Sequence, residues 1–138
     1  MQKEFETRLE YFRDLFGLEN WKIGLIWQEN NVEGEKLTGL DTYRSAKTLA
    51  NPTYNQATIT IYPQLLEKKE LWDETIIHEL VHIVMAGLDF YTDNVVQDKD
   101  QQVLFVNREN AVSQLTSIIC RMLKKGTNVP KGFLKGSD

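Results

Sequence analysis

The stretch Trp72-Asp-Glu-Thr-Ile-Ile-His78-Glu79-Leu-Val-His82-Ile-Val-Met-Ala-Gly87 decides how the rest of the chain is read. His78 and His82 are the only histidines in the sequence, and they bracket H-E-x-x-H. Residues four apart lie one turn apart on the same face of a helix, so both imidazoles can reach a single metal ion. Glu79 stands about 100° round the helix from His78. From there its carboxylate reaches a water at that metal. Two imidazole ligands with an adjacent base form the pattern of metal-assisted hydrolysis. Ile76, Ile77, Leu80, Val81, Ile83, Val84 and Met85 make the same stretch apolar nearly all round, which predicts a buried helix from about Leu71 to Gly87. Asp73 and Glu74 fall in its first turn and complement the helix dipole. Two histidines and a glutamate on a buried helix cost free energy unless they are paired or ligate something.

Outward from this helix, the chain reads as α+β. Phe5, Leu9, Phe12 and Phe16, spaced four, three and four apart, predict an amphipathic N-terminal helix over 3–17, stopped at Gly17. Trp21, Ile23, Leu25 and Trp27 alternate, as in a half-buried strand. Residues 29–37 are polar and read as a loop, with a second strand over 38–44. Asn51-Pro52 marks a turn. Ala57-Thr-Ile-Thr-Ile-Tyr62 is rich in β-branched residues and stopped by Pro63, so it is a strand. A short helix starts at Pro63. Residues 89–100 are polar and turn-rich. A second long helix runs from about Asp100 to Lys124, with Leu104, Ala111, Leu115, Ile118, Ile119 and Met122 as its expected core face. The length of 138 residues suits one domain, read as residues 1–124 with a basic, flexible tail over 125–138.

A catalytic zinc takes three protein ligands and leaves one position for water. With no third histidine, the remaining ligand should be a carboxylate. The extended pattern H-E-x-x-H-x-x-G-x-x-H is excluded, because its glycine falls at Met85 and its last ligand at Leu88. Glu109 is favoured. It lies well inside the last helix, with Phe105 and Val112 about one turn away on either side, and the intervening chain is long enough for an antiparallel return. Asp89, Asp93, Asp98 and Asp100 are the alternatives.

With a strand, an H-E-x-x-H helix and a later helix carrying Arg108-Glu109-Asn110-Ala111, the chain resembles the gluzincin branch of the zincin metallopeptidases. It is most similar to compact intracellular bacterial and phage enzymes, including those that cleave phage immunity repressors. The resemblance covers roughly residues 57–122. It implies a zinc metallopeptidase with Zn2+ held by His78, His82 and Glu109, and with Glu79 as general base. It also implies an edge strand that binds extended substrate, for which 57–62 is the candidate. Tyr54, Tyr62, Tyr91 and Arg108 are candidates to stabilise the oxyanion. The larger gluzincins often place an aspartate four residues after the third ligand; here that position is Ser113. The layout also resembles the Spartan-like DNA–protein crosslink proteases, but their third ligand is a histidine and this chain has none to spare.

A net charge of −4 gives no sign of general nucleic-acid affinity. Arg121, Lys124, Lys125, Lys131 and Lys135 read as a solvated terminus, so the expected partner is a protein or peptide substrate. Cys120 is the only cysteine, which excludes an internal disulfide and fits a reducing compartment. The N-terminal residues lack the apolar core of a signal peptide, and no apolar run approaches the ~20 residues of a membrane span. A cytoplasmic protein is therefore expected. The competing reading is a non-catalytic zincin-fold module that binds metal or a partner protein. Glu79 argues against it, because a structural metal site needs no base beside its first ligand.

Overall fold

The computed structural model describes residues 1–29, 45–126 and 129–134. The strand expected over 38–44 lies outside them, as does Lys135. The architecture is α+β: α1 (Gln2–Leu15), β1 (Lys22–Trp27), β2 (Ala46–Asn51), β3 (Gln56–Ile61), α2 (Pro63–Leu66), α3 (Trp72–Val84), α4 (Ala86–Val95) and α5 (Gln101–Gly126).

The three strands form one sheet in the order β1-β3-β2. β2 and β3 are an antiparallel hairpin, with Thr48 opposite Ile59, and β1 runs parallel to β3. At the hairpin turn Asn51 accepts the Thr53 N–H on its side-chain oxygen at 3.1 Å. Asn55 closes the turn in the left-handed region at φ 50°, where asparagine is better tolerated than most residues. β3 is therefore the central strand, paired on both sides. Its Ala57, Ile59 and Ile61 face the core, as the alternation requires.

α3 is the element that the other layers share, since it packs against α1, β2 and α5. Its Ile76, Ile77, Leu80, Val81 and Ile83 are all buried. Trp72 at its start has no exposed surface and donates its indole N–H to the Leu65 carbonyl at 2.9 Å. Phe5 of α1 meets both Trp27 and Trp72 edge-on, with ring centroids 5.4 Å apart in each case. Such pairs add roughly 0.5–1.5 kcal/mol beyond burial.

Four elements differ from the sequence reading. β2 was not anticipated, because Ala46-Lys-Thr-Leu-Ala-Asn has few large apolar residues to mark a strand. The polar stretch after Gly87 is largely helical: α3 ends at Val84 and α4 runs from Ala86 to Val95, held to α5 by Arg108. On α5 the buried line is Val112, Thr116, Cys120 and Leu123, whereas Leu115, Ile118 and Met122 are exposed. The buried line continues the stripe of Glu109 at spacings of three and four, and Ile119 of the expected face packs partly buried against the core beside it. Finally, residues 129–134, read as part of a loose tail, are docked. Leu134 is buried, and Phe133 packs against Tyr11, Phe12 and the Arg8 guanidinium.

The dock is fastened by a buried ion pair. Arg8 donates to Asp73 Oδ2 at 2.7 Å, and the Leu134 N–H donates to the same oxygen at 2.6 Å. Both charged side chains are almost wholly enclosed. Asp73→Ala leaves the Arg8 charge buried without its carboxylate, so unfolding in urea should show a loss of about 3–5 kcal/mol. The double replacement Arg8→Met with Asp73→Leu should recover part of it. A single-variant loss below about 1 kcal/mol would show that this pair does not anchor α1, α3 and the C-terminal segment.

Candidate metal centre

The buried core turns α3 so that His78, Glu79 and His82 point away from the apolar interior, towards β2 on one side and α5 on the other. The antiparallel return through α4 then brings Glu109 of α5 against both imidazoles. His78 Nε2 is 3.5 Å from Glu109 Oε2, and His82 Nε2 is 3.2 Å from Glu109 Oε1. The imidazole rings lie 5.1 Å apart at 69°. Glu79 is 4% exposed, and its Oε1 accepts the Thr48 hydroxyl at 3.0 Å. Donor atoms of His78, Glu79 and His82 all lie within 4.8 Å of one another. Thus the four residues singled out from the sequence meet in one place.

The Glu109 carboxylate spans the two imidazoles, one oxygen to each, at separations close to the roughly 3.3–3.4 Å between two ligand atoms of a tetrahedral zinc with bonds of about 2.0–2.1 Å. The electrostatics agree. For Glu109, burial pushes the carboxyl up, but hydrogen bonds from His78 and His82 outweigh it and hold the group well below the usual carboxylate range. For His82, burial disfavours the charged form, yet the Glu109 hydrogen bond and the charge of Glu79 prevail and raise its pKa. The space between these groups therefore favours positive charge, supplied either by protons or by a cation. For Glu79 burial dominates and pushes the carboxyl up, against the two imidazoles and the Thr48 hydroxyl. A base with a raised pKa takes a proton more readily.

The other carboxylates are placed differently. Asp89 and Asp93 are salt-bridged to Arg108, at 2.9 and 3.0 Å, and Thr92 accepts from the same guanidinium. Asp98 and Asp100 are exposed in a 3-10 turn. Arg108 is thus committed to bracing α4 on α5. Tyr54 is exposed at the hairpin and Tyr62 is buried, and neither lines the cleft over the site. The Tyr91 side chain is not among those described.

The cleft has a volume of about 700 Å³ and is open to solvent. One wall is β2 along its whole inner length, from Ser45 to Ala50; the other is built from α3, α4 and α5. This corrects the substrate-strand expectation. β3 has both edges paired and cannot take up another strand, whereas β2 is the outer strand of the sheet among the described residues and flanks the site. Thr48 was also missed. Its contact with Glu79 spans 31 residues and depends on a strand that the sequence pattern does not announce.

Comparison with protein-family models, curated proteins and solved structures gives no significant match to this chain.

Glu109→Ala should weaken zinc binding by about 100-fold or more, measured by competition with a chromogenic chelator, because it removes the carboxylate that faces both imidazoles. Unchanged affinity would move the third-ligand role to another carboxylate, with Glu79, whose carboxylate lies within 4.8 Å of both imidazole donors, the first candidate.

Proposed function

We propose that the protein is a zinc-dependent metallopeptidase of the H-E-x-x-H type, a gluzincin-like hydrolase acting on an extended protein or peptide segment. The observation that carries this reading is the Glu109 carboxylate facing both imidazoles, with a separate buried carboxylate, Glu79, beside them. Three donors suit a catalytic zinc, which keeps a position open, and the fourth group suits a base.

His78, His82 and Glu109 would hold the ion. When bound, zinc supplies Lewis acidity that polarises a carbonyl and brings the acidity of a water near neutrality. Glu79 takes a proton from the attacking water as its oxygen bonds to the scissile carbonyl carbon. It then gives that proton to the amine nitrogen as the C–N bond breaks, so the base returns to its starting state. The burial that raises the Glu79 pKa favours the first transfer; the second is driven by the greater basicity of the departing amine.

The substrate class follows from β2. β2 is the outer strand of the sheet among the described residues, and an extended peptide can add to such an edge as a further strand. β2 flanks the cleft, so such a peptide would run past the metal site. Ala46 and Ala50 are small and leave room for its side chains. Among the described residues no helix is long and apolar enough to cross a membrane, and Cys120 is a free, buried thiol. These observations support action in the cytoplasm.

Glu79→Gln tests the reaction. The variant should bind one zinc per chain with wild-type affinity, while hydrolysis of a proteome-derived peptide library, read by mass spectrometry, should fall by about 100- to 10,000-fold. Equal cleavage by the variant would contradict the role of Glu79. Full zinc binding without cleavage by either protein would favour a non-catalytic metal-binding module.

A further inference from the structure

Glu79 is close enough to both imidazoles to act as a ligand itself, since its carboxylate lies within 4.8 Å of their donor atoms. Carboxylates bind zinc readily. If Glu79 did so, the position needed for water would be filled and the base would be lost. Something must hold this side chain back from the cation.

Only one side-chain hydrogen bond to Glu79 is seen among the described residues, the 3.0 Å contact from the Thr48 hydroxyl. Thr48 stands in the middle of β2 on the side that faces α3, between Ala46 and Ala50. It is the sole polar side chain of the strand on that side. Its partner across the ladder is Ile59, a fully buried residue, so the backbone beneath the hydroxyl is fixed by the sheet core. The donor thus comes from a different element than the metal-binding helix. It pulls one carboxylate oxygen towards the sheet and leaves the other for the water.

We infer that Thr48 is a positioning residue that keeps Glu79 a base by restraining it from joining the metal shell. The inference rests on the metallopeptidase reading for its consequence, but the restraint itself is visible without turnover. It also places the restraint on the strand proposed to receive substrate, so that docking of a peptide on β2 and alignment of the base share one backbone.

The test uses the full chain loaded with cobalt(II), whose visible absorption reports coordination number and geometry. Thr48→Val keeps the β-branched shape and removes only the hydroxyl, whereas Thr48→Ser restores a hydroxyl. The valine variant should show an altered cobalt spectrum, the serine variant the wild-type spectrum. In a Glu79→Gln background the valine replacement should change nothing further. With a cleaved peptide in hand, Thr48→Val should lower kcat by about 10- to 100-fold, the scale of a hydrogen bond to a charged group, with KM within about twofold, and Thr48→Ser should recover most of the loss. A wild-type cobalt spectrum in Thr48→Val would overturn the restraint, whatever happens to turnover. Altered spectra without peptide cleavage by the wild type would uphold the restraint and count against the peptidase reading alone. Failure of every variant and the wild type to bind cobalt would remove the metal site and this inference with it.

Discussion

The contact of Glu109 with the two imidazoles of α3 is the constraint from which the rest of the site follows. It is made between two helices, α3 and α5, that pack along their length. Three partly buried groups, each costly to desolvate alone, offset that cost in one another. The cost is lowest when positive charge sits between them. That condition fixes the rotation of α5, because Glu109 must face α3. The buried line Val112, Thr116, Cys120 and Leu123 then follows from helix geometry, and Leu115, Ile118 and Met122 are left on the outside.

The support for this contact is distributed through the fold. α3 is held by Trp72 and Phe5 at its start, by the Arg8–Asp73 pair, and by residues 129–134 closing over that pair. α4 is held by Arg108 to the neighbouring turn of α5. β2 is held by its ladder with β3 and delivers Thr48 to Glu79. Each brace approaches the site from a different direction.

Much of this was legible in the sequence where a single element carried its own signal. The apolar surround of His78 and His82 marked a buried helix, and the aromatic spacing of α1 marked its core face. Glu109 could be favoured from its place within a long helix and the chain length needed to return it. What could not be read was pairing between distant elements. Ala46–Asn51 has small and polar residues, so its strand character comes from the hairpin with β3. Thr48 is an ordinary threonine until that hairpin sets it opposite Glu79. The face of α5 was legible only in part: Ile119 packs against the core as expected, whereas Leu115, Ile118 and Met122 are exposed, because hydrophobicity was the visible signal and the stripe through Glu109 and Val112 was not. α4 looked like a loop because its helix is stabilised by Arg108, a residue from another element.

X-ray absorption at the zinc edge of the loaded protein tests the central claim most directly, because it reads the ligands themselves. The account expects one zinc per chain with a shell of nitrogen and oxygen donors at about 2.0–2.1 Å, two of them showing the outer scattering of imidazole. A sulfur ligand near 2.3 Å, or an oxygen-only shell without imidazole, would contradict it.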